Sequence, residues 1–84
     1  MKNMPETMVK ALRDEMDGAV KYHEMANTEK ADGHEAEYVC IMAIARDEMT
    51  HAEWIHDYMK EKGVEIPAEL EKTYTQLKSA HTFR

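Results

Sequence analysis

The feature that most constrains this chain is how few of its residues interrupt a helix. Among 84 residues there are three glycines and two prolines, and they divide the chain into three segments. Pro5 lies near the start of the first segment, Gly33 separates it from the second, and Pro67 opens the third. Apolar residues recur at helical spacing, and no stretch alternates as a strand does. The sequence predicts an all-α fold with helices at about residues 6–30, 34–62 and 67–78.

A chain of this size needs more than its own core for stability. Domains this small often depend on a disulfide, a metal or a partner subunit. The single cysteine, Cys40, excludes an intrachain disulfide and favours a reducing, cytoplasmic location. Two long helices joined by a tight turn share one seam, which leaves further apolar surface uncovered. We therefore expect residues 1–84 to form one half-bundle domain that dimerises into a four-helix bundle.

The charge balance narrows the range of partners. Acidic side chains outnumber basic ones by 17 to 11, for a formal net charge of −6. This disfavours binding to nucleic acid or to an anionic membrane, and it is compatible with attracting cations. No stretch approaches the roughly 18 apolar residues of a membrane span, and the N-terminus lacks the apolar region of a signal peptide.

Three ionisable side chains occupy the apolar faces of the two long segments. On a helical wheel, Glu15 falls on the apolar face of the first segment, and Glu48 on that of the second, with His51 within about 60° of it. The apolar residues within about 40° of Glu48 are Ile41, Ile44, Ala52, Ile55 and Met59. A buried carboxylate is costly unless it is paired or bound to a metal.

The hairpin register places these three residues at one level. If the turn is centred on Asp32 and Gly33, Glu15 faces position 50, which lies between Glu48 and His51. A Glu-x-x-His pair puts a carboxylate and an imidazole about one turn apart on one helix face. In di-iron bundles, two helices each give one Glu and two give Glu-x-x-His, so this chain holds half of that set.

The same residues allow two alternatives to this metal site. The chain contains a second copy of the motif, Glu53-x-x-His56, but Glu53 lies about 140° from Glu48, which predicts a position on the solvent side. The cluster of Glu15, Glu48 and His51 could also be a structural polar group that sets the register of a helical homo-oligomer. Iron, manganese and zinc share such ligands, so the metal is left open.

The residues around these ligands resemble the ferritin-like superfamily. The resemblance is carried by Glu15-x6-Tyr22 and by Arg46-Asp47-Glu48-Met49-Thr50-His51-Ala52, within about residues 8–62. It is greatest for the encapsulated-ferritin type, a two-helix half-ferritin, and more distant for rubrerythrins. The resemblance implies a ferritin-like four-helix bundle formed by two subunits, with a di-iron site between them and assembly into a larger ring.

The same resemblance implies roles for individual residues. It places Glu15, Glu48, His51 and Tyr22 in a ferroxidase site, and it assigns metal entry to the acidic positions Asp14 and Asp17. It implies Fe(II) oxidation for iron storage or detoxification, with a rubrerythrin-like peroxide reductase as the alternative. An encapsulin shell is an implied partner, although residues 77–84 show no Gly-Ser-Leu-like targeting tail.

Overall fold

The computed structural model describes residues 4–80, and these residues form three helices without a strand. The helices are α1 (Met4–Ala31), α2 (Glu35–Glu61) and α3 (Ala68–Ser79). Their bounds lie close to those expected from the spacing of apolar residues, so the predicted three-helix organisation is confirmed. No helix in residues 4–80 combines the length and the apolar character needed to cross a membrane.

Both long helices end in the same way, at a glycine. Gly33 and Gly63 adopt positive φ values of 81° and 68°, which an L-residue with a side chain rarely accepts. The next amide then bonds back five residues, from His34 N to Glu29 O at 2.9 Å and from Val64 N to Met59 O at 2.8 Å. These bonds complete Schellman caps, which satisfy carbonyls that the helix leaves free. The first cap turns the chain at once and so makes α1 and α2 an antiparallel hairpin.

The seam between α1 and α2 is built mostly from small and flexible apolar residues. Leu12, Met16 and Ala19 of α1 pack in one buried cluster with Met49 and Ala52 of α2. A second, smaller cluster forms nearer to the turn, from Ala26, Met42 and Ala45. Alanine permits close approach of the two helices, and methionine fills the gaps that remain.

The buried face of α2 differs from the face expected around Glu48. The buried residues of α2 are Met42, Ala45, Met49, Ala52, His56 and Met59. Ile44, expected in the core, is 39% exposed. The apolar arc of α2 is wider than one neighbouring helix can cover, and α1 and α3 cover one side of it. Glu48 therefore lies at the border between the buried seam and an uncovered apolar flank.

The third helix folds back against the hairpin and covers residues near the end of α2. Its buried residues, Leu70 and Tyr74, join Val64 and Met59 in the larger core cluster. This packing corrects the expectation that the Glu53-x-x-His56 motif lies on the solvent side, because His56 is only 8% exposed. A wheel that considers only the hairpin has no information about the flank that α3 covers.

Candidate metal centre

Glu15, Glu48 and His51 meet in the structure. One ligand atom from each lies within 4.8 Å of the other two, and no other group of three acidic, histidine or cysteine side chains in residues 4–80 meets this condition. Glu15 projects from α1, while Glu48 and His51 lie one turn apart on α2. The short Gly33 turn sets the register that brings them to one level, as expected.

Glu15 contributes a carboxylate oxygen that has no hydrogen-bond donor. Its Oε2 atom is buried and makes no hydrogen bond. The nearest cationic candidate is Nδ1 of His51, at 3.4 Å. A buried carboxylate oxygen without a partner is destabilising, because it has lost its water and gained nothing in return. A divalent cation at this point would supply the missing partner, so the donor set fits a metal.

The carboxylate of Glu48 lies against the backbone of α1 at Gly18 and close to the carboxylate of Glu15. The pKa of Glu48 is raised, first because its carboxyl shares a hydrogen bond with Glu15, then through burial and the negative charge of Glu15. The neighbouring imidazole of His51 acts on the pKa of Glu48 in the opposite direction. Two carboxylates held this close repel each other when both are ionised, and a bound cation removes that repulsion.

His51 lies on the open side of the group. Its side chain is 46% exposed. Its ring packs beside Trp54, with the ring centroids 5.4 Å apart and the planes inclined at 42°. Trp54 is itself 66% exposed, and Ile44 lies on the same uncovered flank of α2. The candidate site is therefore walled by the hairpin core on one side and open toward an apolar surface on the other.

The remaining predicted residues lie outside the three-residue group. Tyr22 is partly buried and packs against the cluster of Ala26, Met42 and Ala45. Asp14 is exposed and pairs with Nζ of Lys10 at 2.7 Å. Asp17 is exposed and lines a shallow cleft between α1 and α3. The catalytic role of Tyr22 and the entry role of the two aspartates stay predictions.

Sequence reasoning missed the part that Gly18 plays. Gly18 lies within α1, and the carboxylate of Glu48 packs directly against it. The available signal was the glycine itself, since a glycine in the middle of a long helix lowers its stability and calls for a reason.

A second polar cluster joins α2 to α3 around His56. Nε2 of His56 lies 2.9 Å from Oε1 of Glu71, whose pKa is lowered mainly by this hydrogen bond. The His56 ring stacks on Tyr74 at 3.8 Å between centroids, with 4° between the planes. Burial raises the pKa of the Tyr74 hydroxyl to about 12. These contacts fix α3 to the hairpin, and sequence alone predicted a surface position for His56.

The comparisons with known proteins agree with this chemistry. Residues 6–84 match the family model described as Rubrerythrin. No curated protein and no solved structure matches the chain. A family match over nearly the whole chain indicates an iron-binding protein of the ferritin-like superfamily, of the di-iron type.

Proposed function

We propose that this chain, which belongs to the rubrerythrin family, is a ferroxidase that binds and oxidises Fe(II) at a site shared by two subunits. The observation that carries the proposal is the meeting of Glu15, Glu48 and His51 within 4.8 Å. The unpartnered Oε2 of Glu15 adds to it, because a bound cation would give this buried atom the partner that it lacks.

The ligand count makes this site a property of a dimer. Di-iron bundles use four carboxylates and two histidines for two metals. One chain supplies Glu15, Glu48 and His51, so a second copy related by a two-fold axis would complete the set. The uncovered apolar flank beside His51, with Trp54 and Ile44, is the surface on which that copy would pack. Assembly into a larger ring and docking into an encapsulin shell are further proposals that rest on the resemblance.

Each residue of the proposed site would have a role that follows from its chemistry. Glu48 and Glu15 hold Fe(II) as substrate through carboxylate oxygens, and they stabilise the higher charge of Fe(III) more than that of Fe(II). His51 supplies a neutral nitrogen donor on the open side. When bound, the iron ions supply the redox chemistry, with dioxygen or peroxide as electron acceptor. Leu12 and Met16, which are buried on α1 within one turn of Glu15, would exclude water from the core side of the site.

An anaerobic Fe(II) titration followed by exposure to dioxygen tests the proposal. The wild type should bind Fe(II) and form Fe(III) faster than buffer does, as read from ultraviolet absorbance. Glu48→Ala should abolish both, while Glu53→Ala, which removes the glutamate of the other Glu-x-x-His motif, should retain them. Unchanged oxidation by the Glu48→Ala variant would contradict the proposal.

The family match also supports a second candidate, a peroxide reductase. These 84 residues contain one cysteine and so no Cys-x-x-Cys iron centre, and the electrons would have to come from a donor outside them. Multiple turnovers with peroxide and a reductant, with slow oxidation by dioxygen, would favour this function. Thermal stability that is indifferent to Fe(II), Mn(II) and chelators would instead favour a non-enzymatic helical homo-oligomer.

A further inference from the structure

Gly18 occupies a position where a glycine has no conformational purpose. It lies in the interior of α1, and the positive φ values among residues 4–80 belong only to Gly33 and Gly63. Glycine destabilises a helix interior more than any residue except proline, because it loses the most backbone freedom on folding. The reason for Gly18 must therefore lie in what occupies the space that a side chain would take.

That space is filled by the carboxylate of Glu48. A Cβ atom at Gly18 would lie 3.2 Å from Cδ of Glu48, and 3.3 and 3.4 Å from its Oε1 and Oε2 atoms. Favourable contacts between carbon atoms begin at about 3.5 Å, so an alanine here would press on the carboxylate. The three atoms nearest to the missing methyl group all belong to this one carboxylate.

The space beside Gly18 also keeps the carboxylate of Glu48 close to that of Glu15. Gly18 lies three residues after Glu15, which places both on neighbouring turns of α1, next to the same stretch of α2. With Glu48 held against the backbone of α1, its carboxylate stays within reach of Glu15, as the group of three ligands requires. A carboxylate pushed outward would move toward the open flank of α2 and away from Glu15.

We propose that Gly18 is a positioning residue that seats the Glu48 carboxylate beside Glu15 in the metal-binding geometry. This inference rests on the proposed function for its metal-binding consequence, although the contact itself does not. Gly18→Ala then has effects of opposite sign: the helix becomes more stable, and metal binding becomes weaker. Loss of helix stability would not produce this combination.

A stability cycle tests the contact in the absence of metal. Gly18→Ala, Glu48→Ala and the double variant are compared with wild type by thermal unfolding with a chelator, at one protein concentration. In the Glu48→Ala background, Gly18→Ala should raise Tm by about 4–8 °C, the full gain in helix propensity. In the wild-type background the rise should be clearly smaller, because the methyl group meets the carboxylate. Equal rises in both backgrounds would overturn the inference.

A Co(II) titration tests the consequence for the site. We expect Gly18→Ala to weaken Co(II) binding about tenfold, the size typical for residues that orient a ligand. The visible spectrum of bound Co(II) should also shift, because a displaced carboxylate changes the ligand field. Unchanged affinity and an unchanged spectrum would overturn the positioning role. If the wild type binds no Co(II), Fe(II) or Mn(II), the proposed function fails instead, while the stability cycle still decides whether Gly18 seats Glu48.

Discussion

Oε2 of Glu15 is buried and accepts no hydrogen bond, although it lies only 3.4 Å from Nδ1 of His51. The hairpin therefore folds with a destabilising group at the point where the metal-ligand residues converge. Proteins accept such a cost where a bound ion or a partner later offsets it.

Replacing Glu15 with leucine should stabilise the apoprotein while it removes metal binding. The change replaces a carboxylate that has one buried, unpartnered oxygen and lies against the carboxylate of Glu48 with an apolar side chain, which should add about 1–2 kcal/mol to the free energy of unfolding in the presence of chelator. Urea denaturation measures the first effect, and an Fe(II) titration measures the second. Glu24→Leu, on the exposed side of α1, serves as control and should change stability by less than about 0.5 kcal/mol. Destabilised apoprotein would show that Glu15 has a structural partner.

The fluorescence of Trp54 should report metal binding. It is the only tryptophan of the chain, and its ring centroid lies 5.4 Å from that of His51. A paramagnetic ion on His51 should quench its emission, with saturation at one metal per chain. His51→Ala should abolish the saturable quenching, and His23→Ala should leave it intact. Saturable quenching that persists in His51→Ala would place the metal elsewhere.

Metal binding should drive association of the chain. Because two copies are needed for a full set of ligands, Fe(II) or Co(II) should shift the apoprotein from monomer toward dimer. Sedimentation velocity with and without metal measures this shift. Ile44→Lys, on the flank next to Glu48, should block it, because a lysine would be buried without a partner. Val39→Lys is the matched control, since Val39 is 58% exposed and its position on the helical wheel is about 180° from that of Glu48. Equal effects of the two lysines would place the interface elsewhere.

The attachment of α3 should weaken in acid. His56 lowers the pKa of Glu71, so this carboxylate contributes stability at pH values above the pKa it has in the unfolded chain. That contribution is lost as the pH falls through the lower pKa of the folded state, below about pH 4. Glu71→Gln should cost about 1 kcal/mol near neutral pH and flatten the acid limb of the stability curve.

Chemical denaturation from pH 7 to pH 3 measures the difference between the two proteins. Glu69→Gln is the control. The Glu69 side chain is 81% exposed, and its Oε1 atom forms a surface ion pair at 3.7 Å with a guanidinium nitrogen of Arg13. Such a pair contributes little to stability, so this variant should follow the wild-type curve. If the free energy of unfolding of Glu71→Gln follows pH in parallel with that of wild type, Glu71 is not responsible for the loss of stability in acid.

Much of the site could be anticipated because it depends on local rules. Helix periodicity placed Glu15, Glu48 and His51 on apolar faces, and the length of the turn at Gly33 set their common level. The position of His56 could not be anticipated, because it depends on where α3 returns after Pro67. The close approach of Glu48 to Gly18 could not be measured either, since it depends on the distance and rotation between two helices.

The sequence by itself determined three helices, their ends and the level at which the ligand residues meet. Glycine and proline end helices through backbone geometry that no distant contact needs to supply. Only the tertiary structure decided which flank of Glu48 is covered and which stays open. The apolar arc of α2 is wider than one seam, and the packing of α1 and α3 selects the buried side. That choice leaves His51 and Trp54 exposed on the flank where we propose that a second copy completes the site.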